Sequence, residues 1–257
     1  LLQNKACPLH GKLTLAFMNV AAYHSFDPDN PYASRFVDED FNRLWTKEEL
    51  EGKRDSVELR RAREVHPIVD TVDLLLDIHS MQTNTLPLIV AGPLQKGREF
   101  AKQFGIPEMV LTDSGHKAGQ RMRDYEGFSD PNTTRNALLI ECGQHWEVSS
   151  SELAITAAWR FLSMLGVVSE ETAVPHLRLQ PPDQQQFVEV SGPYTIQTDS
   201  FSFVEKYVGL EVIPSAETII GYDGDEPVKT PYNNCILIMP SRRQLPGDTA
   251  VRFGKYV

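Results

Sequence analysis

Three cysteines in 257 residues, Cys7, Cys142 and Cys235, are too few and too scattered for a disulfide framework or a cysteine-type zinc site. A reducing compartment is therefore expected, and with it a cytoplasmic location. Also missing is any stretch near the roughly 18 consecutive apolar residues that a membrane-spanning helix needs. The most apolar run, at 72–78, is short and already contains Asp73 and Asp77, so no membrane partner is expected. Positive charge is scarce: 25 Lys and Arg face 35 Asp and Glu, a formal net charge of −10, and no basic cluster stands out. Nucleic-acid binding ordinarily leaves a basic patch or stripe, which excludes that class of function. Substrate charge stays open, because a locally basic cleft can sit on an acidic protein. Internal repeats and low-complexity tracts are lacking as well.

What is present is an ordinary globular composition, 41% hydrophobic and 23% charged, arranged in two textures. Through about residue 170, short apolar runs alternate with amphipathic stretches. Residues 13–20, 72–78, 86–91, 109–111 and 137–140 read as buried strands. Residues 56–72, 95–104 and 149–167 read as helices. The last carries Ser149 and Glu152 at capping-box spacing and Leu153, Ala157, Phe161 and Leu165 along one face. Residues 23–40 are rich in Pro, Asp, Asn and Ser and read as a long surface loop, a kind that often carries function. The alternation predicts an α/β domain over 1–170, a mixed sheet flanked by helices. After Pro175, Pro181 and Pro182, short β-type runs separated by Gly, Pro and Asp predict a smaller all-β domain over 175–257. The opening Leu1-Leu2-Gln3 has no initiator Met and no signal-peptide pattern. It reads as the tail of a helix already under way, so upstream residues are expected to be missing.

Three segments carry chemistry. Arg35 and the run Asp40-Phe41-Asn42-Arg43 lie in the long loop, where guanidinium groups offer paired donors to a carboxylate or an oxyanion. Asp77-Ile78-His79-Ser80 closes an apolar strand, which places Asp and His at its carboxyl end, where ligands bind in open α/β sheets. Neutral imidazole is a common zinc ligand, often oriented by a carboxylate. Glu141, in Glu141-Cys142-Gly143, closes another apolar strand and suits a general base. Each segment taken alone has a plainer reading: surface ion pairs, a hydrogen-bonded structural histidine, a glutamate capping a turn. Cys142 reads as a buried small hydrophobe rather than a nucleophile.

Taken together, Arg35, Asp40-Phe41-Asn42-Arg43, Asp77-Ile78-His79-Ser80 and Glu141 with Gly143 resemble the ordered motifs of the succinylglutamate desuccinylase/aspartoacylase family, relatives of the zinc carboxypeptidases. The resemblance implies a carboxypeptidase-like α/β fold with an overhanging β domain, one zinc per chain, and hydrolysis of the amide of a small N-acyl substrate. It assigns catalysis to Glu141 as base and Arg35 as oxyanion donor, substrate binding to Asn42 and Arg43, and zinc ligation to His79. Phe41 and Ile78 stand where the family has Leu. The family's first two zinc ligands come from a His-Gly-Asn-Glu-like segment that nothing here matches, and they are expected upstream of this chain. His10, His116 and His145 are the places to look for other ligands, and Arg135, Tyr232 and Arg242 for a residue that reads the acyl group. Two alternatives stay open: a metal-free binding protein or inactive relative, and a zinc carboxypeptidase acting on peptides. A homo-oligomer is also left open.

Overall fold

The computed structural model describes residues 8–115, 118–242 and 244–257. Leu1 to Gln3, Cys7 and His116 lie outside them. The described helices are α1 (Val20–His24), α2 (Lys47–Glu51), α3 (Val57–Val69), α4 (Gln95–Phe104), α5 (Val148–Met164) and α6 (Glu170–Ala173). The first four strands are β1 (Leu74–Met81), β2 (Leu88–Val90), β3 (Met109–Thr112) and β4 (Asn136–Gln144). After α6 come β5 (Gln186–Thr195), β6 (Phe201–Phe203), β7 (Val212–Ile213), β8 (Ile219–Asp223), β9 (Glu226–Lys229), β10 (Cys235–Ile238) and β11 (Thr249–Tyr256).

Eight strands form one mixed sheet in the order β1-β4-β2-β3-β5-β11-β10-β7, and β6-β8-β9 form a second, smaller antiparallel sheet. The architecture is the expected α/β sheet flanked by helices with a smaller β unit. β5 pairs in parallel with β3, so the segment after residue 175 joins the large sheet directly. The small sheet adds Phe201, Ile220 and Val228 to a shared core with Leu237, Val251 and Phe253 of β10 and β11.

The period of two along each strand sorts its side chains between faces. Leu74 and Leu76 of β1, with Leu138, Ile140 and Cys142 of β4, join the core formed by Phe100 and Phe104 of α4 and Leu153, Ala157 and Phe161 of α5. On the opposite face, Leu75 and Ala137 join Ala62, Val65 and Val69 of α3 with Phe41, Trp45 and Tyr125. Helix α3 starts where Ser56 accepts from the Leu59 N–H, an ordinary cap. Helix α4 ends at Gly105, whose φ of +74° suits glycine. Lys96 of α4 donates to the carbonyls of Gly127, Asp130 and Arg135 at 2.9, 2.6 and 2.7 Å, gathering the loop that leads into β4.

Two local expectations do not hold. Residues 13–20 form no strand: 12–17 are irregular, and Phe17 is 82% exposed. A strand exists by pairing, and this run has no ladder partner among the described residues. The carbonyls of Phe17 and Met18 accept from Arg61 instead, and Asn19 caps α1. The capping box at Ser149 and Glu152 is also absent. Helix α5 begins one residue earlier, with Glu147 at the cap position and no side-chain cap.

The loop that follows α1 is held by one carboxylate. Glu58, fully buried in the first turn of α3, accepts from the backbone N–H of Val37, Asp38 and Glu39 at 2.7, 3.0 and 3.3 Å and from Asn19 Nδ2 at 3.2 Å. Burial acts to raise its pKa, but these four donors overcome that and hold it below the ordinary value. Glu58→Ala is expected to cost roughly 2–5 kcal/mol by removing the buried carboxylate that four loop donors share. The depressed pKa means that the stabilisation is complete above the unfolded pKa of a glutamate and is lost as pH falls through the folded one. Denaturant melts of wild type and Glu58→Gln at a series of pH values should therefore converge in acid. Curves that run parallel across the whole range would exclude this anchoring role.

Candidate active site

β1 and β4 pair in parallel with Leu74 opposite Asn136 and, five residues on, His79 opposite Glu141. Because the register is shared, Asp77, His79 and Glu141 project from the same face, near the strands' carboxyl ends. That face opens into a cleft lined also by Arg35, Asn42, Arg43, His145 and Arg252. The cleft measures about 2200 Å³. This exceeds the roughly 300–1,000 Å³ of small-molecule sites, because it runs on along the open edge of β1 past residues 13–18.

His79 Nε2 donates to Asp77 Oδ1 at 2.9 Å. Burial acts to lower the His79 pKa, but the Asp77 carboxylate, with Glu141 beside it, holds it up at about 9. Burial pushes Glu141 up to about 7 against the opposing pull of His79. A carboxyl poised there can both take and return a proton near neutral pH. Asp77 Oδ2 and Glu141 Oε2 are buried without a hydrogen-bond partner, so each carboxyl keeps an oxygen with unused acceptor capacity.

The loop segment arrives from the other side. Asp40 accepts from the Asn42 N–H at 3.0 Å and from Arg35 Nη2 at 2.8 Å, with Arg43 Nη2 3.7 Å away. Burial would raise the Asp40 pKa, but the two arginines hold it down. Asn42 Oδ1 accepts from the Met122 N–H at 3.0 Å, which leaves the amide NH₂ as the end that can donate to a ligand. All five residues singled out from the sequence, Arg35, Asn42, Arg43, His79 and Glu141, line this one cleft.

Sequence reasoning missed a second arginine layer. Asp113 accepts from Arg121 at 2.6 and 3.0 Å and from Arg252 Nη1 of β11 at 2.6 Å. Asp124 accepts from Arg121 Nε at 2.6 Å and from Arg123 at 2.5 Å. Arg35, Arg121 and Arg252 all lie within electrostatic reach of Arg43. The cleft is thus locally basic on an acidic chain. No local pattern marks Arg252, which lies 217 residues from Arg35 in sequence and enters only through strand pairing. Ser80 Oγ lies 2.7 Å from His145 Nδ1, and His145 in turn lies within electrostatic reach of Arg35 and His79.

Of the other candidates, Arg135 and Tyr232 fall elsewhere. Arg135 donates to the carbonyls of Val69 and Val72 and stacks on Phe128. Tyr232 meets Ser191 at 2.8 Å. Arg242 and His10 line the large cleft, His10 beside Gly166. Cys142 is buried on the opposite face, its thiol pushed up to about 12 by burial.

A catalytic zinc takes about three protein ligands. Among the described residues, no group of three or more His, Cys, Asp or Glu side chains could hold a metal ion. The described residues therefore do not fit a complete zinc centre by themselves.

Fold and cleft define first a class: an α/β catalytic domain whose parallel strand ends present a carboxylate and an imidazole to an arginine-lined cleft. The profile of the succinylglutamate desuccinylase/aspartoacylase catalytic domain, a deacylase domain, matches residues 3–164. The chain belongs to that family. Among solved structures it is similar to a succinylglutamate desuccinylase from Vibrio parahaemolyticus, with 19% identity and a TM-score of 0.62 over 89% of this chain and 69% of that one. A succinylglutamate desuccinylase from Vibrio cholerae shares 18% identity and a TM-score of 0.64 over 87% of this chain and 66% of that one. Murine aminoacylase 3 shares 14% identity and a TM-score of 0.55, covering 90% of this chain and 82% of that one. The chain thus spans about two thirds of the length of the Vibrio enzymes. Curated protein sequences show no match. No helix among the described residues is long and apolar enough to cross a membrane.

Asp77→Asn removes the partner that raises His79. The His79 titration midpoint, followed by NMR, should fall from about 9 toward the ordinary 6.5. The pair's stabilisation is complete below pH 6.5 and lost as pH rises through 9, so the variant should lose stability in neutral solution and little in strong alkali. An unmoved His79 midpoint would show that the contact with Asp77 does not set its charge.

Proposed function

We propose that this chain is an amide deacylase that cleaves the acyl–nitrogen bond of a small N-acyl amino acid. The observation that carries the reading is the convergence, in one cleft, of a buried carboxylate, an imidazole and two loop arginines, on a fold of the family. Arg43 and the Asn42 amide hold the substrate carboxylate, for which a guanidinium fork is well suited. Arg35, half exposed at the cleft, donates to the oxygen on which charge develops as the carbonyl is attacked. Glu141 takes a proton from the attacking water and returns it to the departing nitrogen. The arginine layer under Arg43 biases the whole cleft toward anionic substrates.

The family resemblance implies zinc, one per chain, and His79 is the residue we assign toward it. A full centre needs ligands that the described residues do not supply, and this favours the second reading, a metal-free binding protein that keeps the substrate clamp. A peptide-cutting zinc carboxypeptidase is less suited, because a β domain overhanging the site would restrict it to small substrates.

Three measurements separate these readings. Release of free amine from a panel of N-acyl amino acids and short peptides, with zinc supplied, should favour the acyl amino acids. Glu141→Gln should lower turnover by about 10²–10⁴-fold with substrate affinity little changed. Binding without turnover in the full-length wild type with zinc in excess would establish the binding protein, and full activity in Glu141→Gln would remove Glu141 from the mechanism. Equilibrium dialysis of the 257-residue chain should give less than one zinc bound per chain. Stoichiometric zinc would instead point to His10, His116 or His145 as ligands.

A further inference from the structure

The turn after β4 holds an indole in an unusual place. Trp146 lies five residues beyond Glu141 with a φ of +67°, a conformation that suits glycine and is costly for any bulky side chain. Such outliers concentrate at functional sites. Trp146 is also 57% exposed, whereas Trp45 and Trp159, the chain's other tryptophans, are 0% and 2% exposed. Its ring lies 5.3 Å from His145 and 6.2 Å from Phe26, itself 46% exposed. Phe26 belongs to the loop that goes on to Arg35. Both rings line the cleft.

The order of groups along the cleft assigns this pair. Arg43 and Arg35 share the Asp40 carboxylate, whereas Trp146 packs beside His145, whose Nδ1 lies 2.7 Å from Ser80 Oγ next to His79. Arg35, on the loop that also carries Phe26, therefore links the Arg43 end of the cleft to the aromatic pair. A substrate with its carboxylate on Arg43 and its carbonyl at Arg35 extends its acyl group toward Trp146.

We infer that Phe26 and Trp146 form an aromatic acyl subsite, which selects N-acyl amino acids whose acyl group is apolar and planar, such as an aroyl group, over those with a small or charged one. The inference rests on the deacylase reading and its carboxylate clamp. Planar apolar groups stack on exposed rings, and the buried ring area adds hydrophobic stabilisation.

The probes are N-benzoylglycine and N-acetylglycine, which share the carboxylate and amide and differ only in the acyl group. Calorimetry measures affinity, and fluorescence reports on Trp146 as the exposed tryptophan. N-benzoylglycine should bind at least roughly tenfold more tightly than N-acetylglycine and quench the emission. Trp146→Gly, which relaxes the backbone at that position, should erase most of the difference and leave N-acetylglycine affinity unchanged. Phe26→Ala should act in the same direction, and Trp146→Phe should keep most of the preference. Thermal melts establish that each variant is folded. Equal wild-type affinities for the two ligands, or equal weakening of both in Trp146→Gly, would overturn the subsite and leave the deacylase reading intact. A preference for N-acetylphenylalanine over N-benzoylglycine would place the rings at the amine half and overturn the acyl assignment. Failure of both acylglycines to bind would sink the carboxylate clamp itself, and the inference with it.

Discussion

The cleft depends on the parallel register of β1 and β4. With His79 opposite Glu141, the imidazole, its partner Asp77 and the carboxylate share one face. Slipping either strand by one residue would send its polar groups into the core against α4 and α5. It would also turn Leu74 and Leu76, or Leu138 and Ile140, out of that core. The apolar residues that hold the sheet to its helices are therefore the same ones that aim the chemistry. Catalytic geometry and core packing are specified together, by the alternation of side chains along two neighbouring strands.

A second constraint is how the protein concentrates positive charge in a buried place. Arg121 and Arg252 are nearly enclosed, which is tolerable only because Asp113 is shared between them and Asp124 takes the remaining donors. Asp40 does the same for Arg35 and Arg43 nearer the surface. The cleft ends up basic enough to attract an anion while each guanidinium retains a carboxylate. Glu58 solves the complementary problem for the backbone: three successive N–H groups point at one carboxylate, so a loop with little regular structure is fixed where its arginine is needed. The last strand closes this arrangement, since β11 pairs with β5 and carries Arg252 to Asp113.

Much of this was readable from the chain. Helix α4 has the predicted bounds, because its apolar positions and closing glycine are local features. Ser56 marks the start of α3 as expected. The strand ends bearing His79 and Glu141 were legible because an apolar run that breaks into polar residues needs no distant information. Residues 13–20 show the limit: the same apolar texture makes no strand when no neighbour among the described residues supplies a ladder. Strands β7, β9 and β11 went unpredicted for the converse reason, since pairing partners held them in place despite weak or mixed patterns.

The sequence by itself therefore determined the local periods and the identity of the polar residues at the strand ends, since each of these depends on neighbours a few positions away. Only the tertiary structure decided that β5 continues the first sheet, that Arg121 and Arg252 meet over Asp113, and that Trp146 turns its indole to Phe26. Those contacts join residues far apart in the chain. They are decided by which strands pair and which charges must share a partner, and no local pattern records either.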